Sequence, residues 1–65
     1  MTLTVNGKAQ DSEAATLGAL VQALGLGDAT VATALNGAFV PAAARERIDL
    51  ADGDRIEILA PMQGG

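Results

Sequence analysis

The sequence contains neither cysteine nor histidine. Those two absences remove disulfide staples, thiolate nucleophiles, imidazole bases and the usual zinc ligands together. Aromatic residues are nearly missing as well, since there is no Trp or Tyr and Phe39 stands alone. In a chain of 65 residues, much of whose 49% hydrophobic content is alanine, that leaves one small core and little volume for a pocket. Basic residues are few. Lys8, Arg45, Arg47 and Arg55 face eight acidic residues, for a net charge of -4. Such a balance offers no footprint for phosphate, so nucleic acid is not an expected partner. An acidic surface is better suited to meeting a protein with a basic face. No apolar run approaches the ~20 residues of a membrane span. The opening MTLTVNGKAQ lacks the basic and then apolar regions of a signal peptide. The expected location is therefore the cytoplasm, away from membranes.

What is present reads as short elements of alternating kind. LTVNGKAQDS predicts two strands around Asn6-Gly7, because a type I′ turn needs positive φ at both central residues. Leu3 and Val5 share one face of the first strand and Thr2 and Thr4 the other. Leu17, Leu20, Val21 and Leu24 then fall on one stripe of a helix, with Thr16 as N-cap, Gly25 as stop and Gly18 weakening the middle. TVATALNG predicts a third strand ended by Asn36-Gly37, followed by a brief extended piece ending at Pro41. AAARERIDL suggests a turn of helix. After a turn at Asp52-Gly53, the last strand points Ile56 and Ile58 one way and Arg55, Glu57 and Leu59 the other. One helix across a small mixed sheet of four to five strands is an α+β design. The order fits a β-grasp, in which the first and last strands lie side by side mid-sheet. The domain is expected over residues 1–60, with a flexible tail over 61–65.

A catalytic constellation does not assemble from these residues. A nucleophile would have to be Ser12, a threonine or Lys8, and none has a recognisable activating base. Asp52 and Asp54 form a carboxylate pair, but they flank a turn glycine, where Asp serves its own backbone. A divalent cation normally needs more ligands than that. The GLGD stretch at residues 25–28 follows a helix instead of opening one, so it does not cradle phosphate. Arg45 and Arg47 bracket Glu46 and read as a solvated face with weak local ion pairs, ahead of a partner contact.

The end of the chain is more informative. At an ordinary glycine frequency of ~7%, a terminal Gly-Gly arises by chance about once in two hundred chains. Pro61 lacks an N–H and stops the strand ladder. Met62-Gln63-Gly64-Gly65 then offers nothing to anchor it, and glycines without Cβ pass through a narrow channel. The α-carboxyl, with a pKa of ~3.5, is an anion at neutral pH that can attack phosphorus. To be substituted it must first become a good leaving group, as in an acyl-adenylate. Nothing in the chain binds ATP, so a partner enzyme would perform that step.

LNGAFVP, LADGDRIEIL and the final Gly-Gly closely resemble the ThiS proteins, the sulfur carriers of thiamine (thiazole) biosynthesis, which are ubiquitin-like β-grasp domains. The resemblance covers nearly the whole chain. It implies a cosubstrate with no catalytic groups of its own and no bound cofactor. In the implied cycle a ThiF-like adenylyltransferase uses ATP and Mg²⁺ to adenylate Gly65. Sulfur from a donor such as a cysteine desulfurase replaces AMP to give a thiocarboxylate. Thiazole synthase (ThiG) then takes the sulfur. Gly65 is the covalent acceptor and Gly64 the companion that lets it enter the partner's site. Ordering four tail residues there costs on the order of 4–8 kcal/mol, so the globular surface must add to binding. Leu59, and after it Phe39, are the candidates for an exposed apolar anchor, although for each a place in the core is the heavier reading. Two relatives in mechanism stay open: the MoaD-like small subunit of molybdopterin synthase, and a ubiquitin-like protein modifier. An adaptor domain using its sheet alone is the third alternative.

Overall fold

A computed structural model describes residues 1–27 and 30–60 of the chain. Two hairpins frame it. Strands β1 (Thr2–Val5) and β2 (Lys8–Asp11) pair antiparallel through Asn6-Gly7, and β3 (Ala32–Leu35) and β4 (Ala38–Val40) through Asn36-Gly37. Both turns have the expected backbone, with φ of 51° and 84° in the first and 50° and 87° in the second. The last strand, β5 (Arg55–Leu59), inserts between the hairpins, parallel to β1 and antiparallel to β3. The sheet order is β2-β1-β5-β3-β4. This is the β-grasp arrangement, with the first and last strands adjacent.

Helix α1 (Leu17–Ala23) lies across one face of the sheet. Thr16 caps its start, its hydroxyl accepting from the Ala19 N–H at 3.1 Å. Gly25 ends it at a φ of 79°, the Leu26 N–H reaching Val21 O and the Gly25 N–H reaching Gln22 O. That bond pair is a Schellman stop. Leu17, Leu20 and Val21 are buried against Leu3, Val40, Ile56 and Ile58. Each such side chain contributes about 1.5–3 kcal/mol on burial. Leu24 packs at the margin of this core.

The turn of helix suggested by AAARERIDL is present as a 3-10 helix over Ala42–Arg47. The Ala44 N–H bonds Pro41 O and the Ile48 N–H bonds Arg45 O, the tighter i to i+3 pattern suited to a short connector. The helix packs directly on α1, and Gly18 is what permits it. A Cβ built at Gly18 would lie 2.8 Å from Glu46 Cγ and 3.3 Å from the Glu46 backbone. Gly18 is thus a contact point as well as a weak helix former.

Arg45 corrects the solvated-face reading. Its Nε donates to Thr33 Oγ1 at 2.9 Å and its terminal nitrogen to the Val31 carbonyl. Thr33 is itself buried and donates to Val40 O at 2.8 Å. An arginine in the 3-10 helix thereby ties down β3 and satisfies a hydroxyl in the core. Arg47, by contrast, is exposed.

Candidate functional site

Strand alternation decides what the open face of the sheet displays. In β5 Ile56 and Ile58 are buried, while Arg55, Glu57 and Leu59 are exposed. Across the sheet Leu59 stands opposite Ala32, and Ala34 stands opposite both Glu57 and Phe39. Phe39 is 70% exposed and Leu59 69%. This overturns the expectation that burial in the core was the heavier reading for each. The physical reason is architectural: α1 covers the other face, and among the described residues no layer lies over the outward positions of β3, β4 and β5.

Because β3 presents only the small side chains of Ala32 and Ala34 outward, a shallow furrow runs between Phe39 and Leu59, bounded by Glu57. A second hollow on the far side of Leu59 is lined by Thr30, Val31, Ala32 and Ala60. The apolar strip therefore reaches the last described residue, Ala60, with one carboxylate at its border. Gly64 and Gly65, together with Pro61 and the tail expected over 61–65, lie outside the described residues.

The strand carrying this face is fastened by side chains whose sequence pattern pointed to turns alone. The Asn6 carboxamide donates to Ile58 O at 3.1 Å and accepts from the Ile58 N–H at 2.8 Å. The Asn36 carboxamide accepts from the Arg55 N–H at 2.9 Å and donates to Asp54 Oδ1 at 3.0 Å. One asparagine thus holds each end of β5. The shared Asn-Gly dipeptide is a signal for the turns, but the second role needs the tertiary neighbour.

Asp52 and Asp54 serve the backbone. Asp52 Oδ1 accepts from the Thr2 N–H at 2.7 Å, and Asp54 Oδ2 from the Ala51 N–H at 2.8 Å. The Asn36 amide, and after it the Ala51 N–H, hold the Asp54 carboxyl below the usual carboxylate range against a weaker opposing effect of burial. Among the described residues, no group of three or more Asp or Glu side chains is placed to hold a metal ion. No described helix is long and apolar enough to cross a membrane. What this surface can do chemically is bind another protein's apolar side chains beside the point where the chain continues toward Gly65.

Comparison with known proteins accords with this geometry. The ThiS family model matches residues 2–65. A crystal structure of the thiamine biosynthesis protein ThiS from Geobacter metallireducens is 38% identical, with a TM-score of 0.81 and 100% of each chain covered. An NMR solution structure of a thiamine biosynthesis protein from Geobacter metallireducens is 35% identical with a TM-score of 0.80, covering 100% of this chain and 88% of that one. No curated protein matches the sequence significantly. Family model, end-to-end structural likeness and the β-grasp order all agree: the chain belongs to the ThiS family.

Proposed function

We propose that the protein is a sulfur carrier of thiamine thiazole biosynthesis, acting through the carboxylate of Gly65. The observation that carries this is the ThiS family match, which runs through Gly64-Gly65 to residue 65. The carboxylate oxygen attacks the α-phosphorus of ATP in a ThiF-like enzyme, pyrophosphate leaves, and an acyl-adenylate forms. A sulfur donor such as a cysteine desulfurase supplies the atom that displaces AMP, and thiazole synthase takes it from the thiocarboxylate. The ATP and Mg²⁺ belong to the activating enzyme. Gly64 lets the terminus enter the partner's channel without a side chain.

Leu59 and Phe39 fit this role as contacts for the activating enzyme. They are large, apolar and uncovered, on the strand and hairpin nearest Ala60. Apolar residues of this kind supply the binding that offsets the ordering of the tail.

Intact-mass analysis tests the proposal after incubation with a ThiF-like enzyme, ATP and a sulfur source. The expected product carries sulfur in place of one oxygen, confined to Gly65. A product joined through Gly65 to lysines of other proteins would mark a modifier instead, and an unchanged mass would overturn the carrier chemistry.

A further inference from the structure

Strand β5 is supported unequally along its two edges. On the β3 side the register runs to the end of the strand, from Leu35 opposite Ile56 to Ala32 opposite Leu59. On the β1 side it stops at Val5 opposite Ile56, because the chain turns away at Gly7. The Asn6 N–H still bonds Ile56 O. Alternation then aims the backbone of Ile58, two residues on, at the same edge, where no further β1 residue is available. The Asn6 carboxamide fills that place, bonding both the N–H and the carbonyl of Ile58. A side chain supplies the last rung of a parallel ladder, two residues before Ala60, the last described residue.

We propose that Asn6 is a positioning residue for transfer at the chain terminus. By holding Ile58 it fixes where Leu59 and Ala60 stand at the end of the sheet, so that the apolar face is presented to a partner in one arrangement. This rests on the carrier reading above. Without the carboxamide, the backbone of Ile58 and Leu59 is paired on the β3 side alone, and a partner must order this end of the strand on binding. That lost ordering weakens capture of the carrier while leaving the chemical step alone, so it raises KM and spares kcat.

Asn36 provides a matched control. It has the same dipeptide, a φ of 50° against 51°, and a carboxamide on β5, but at Arg55, the end remote from the tail. Glycine tolerates these φ values, so Asn6→Gly and Asn36→Gly each remove a carboxamide without straining the turn. With the full chain and a ThiF-like enzyme, Asn6→Gly is expected to raise the KM for the carrier about tenfold, the equivalent of two modest hydrogen bonds. Its kcat, and both constants for Asn36→Gly, should stay within about twofold. Asn6→Asp keeps the acceptor for the Ile58 N–H and should recover part of the loss. Hydrogen exchange at the Ile58 amide should speed up in Asn6→Gly and not in Asn36→Gly. An unchanged KM for Asn6→Gly, an equal rise for Asn36→Gly, or unaltered exchange at Ile58 overturns this inference while the carrier reading stands. If the unaltered chain is not adenylated, the carrier reading falls and takes the inference with it.

Discussion

Asp54 joins three segments at a single residue. Its carboxylate oxygens accept from the Asn36 side chain at the β3–β4 turn and from the Ala51 N–H ahead of β5, while its backbone carbonyl accepts from the Thr4 N–H of β1. The first two bonds favour the ionised form, and the Asn36 amide is the larger cause of the lowered pKa. A carboxyl whose folded pKa is depressed stabilises the native state fully above its unfolded value of about 4. That stabilisation fades as pH falls through the lower native value. Asp54→Asn should therefore lower the urea midpoint at neutral pH, and show a shallower decline on acidification below about pH 4 than the unaltered protein. Equal acid sensitivity in the two would mean that the bonds do not discriminate between charge states. Residues with local duties are legible in the sequence itself: Thr16 as a cap, Gly25 as a stop, the Asn-Gly turns. Arg45 is not, because Thr33 and the Val31 carbonyl lie well separated from it along the chain and residue order gives no sign of the meeting.

At the scale of elements, the contact between α1 and the 3-10 helix sets two tendencies against each other. Alanine at Gly18 would improve helix propensity by about 1 kcal/mol. It would also place a Cβ 2.8 Å from Glu46 Cγ and 3.3 Å from Glu46 backbone atoms, where movement is harder. Overpacking of that kind costs about 1–3 kcal/mol. Gly18→Ala should therefore be destabilised by about 1 kcal/mol in thermal or urea unfolding, and adding Glu46→Ala should recover part of the loss. A more stable Gly18→Ala protein would show that the two helices separate freely. The strands and main helix are legible because each has its own period, including the split of Ile56 and Ile58 from Leu59 across β5. The exposure of Leu59 and Phe39 is harder to see. Hydrophobicity argues for burial, and only the absence of a layer on the outer face, a property of the assembled sheet, decides otherwise.

For the whole molecule, one helical layer closes one side of the sheet, and among the described residues nothing covers the other. Leu59→Asp tests that division of labour. With Leu59 outside the core, the substitution should cost stability no more than about 1 kcal/mol. It should weaken binding to the activating enzyme about tenfold or more, measured by titration of the two proteins. Loss of the fold, or undiminished binding, would remove the apolar face from the proposed function. The strand order carries a further consequence, for synthesis. β1 and β3 touch β5 and not each other, so the hairpins emerging from a ribosome have no shared sheet until residues 55–59 have been translated. A chain interrupted earlier keeps its halves apart, with the edges meant for β5 unpaired and open to proteolysis or aggregation. Completion of the sheet thus requires that translation has passed residue 59, and a product interrupted earlier lacks the strand that joins its two hairpins.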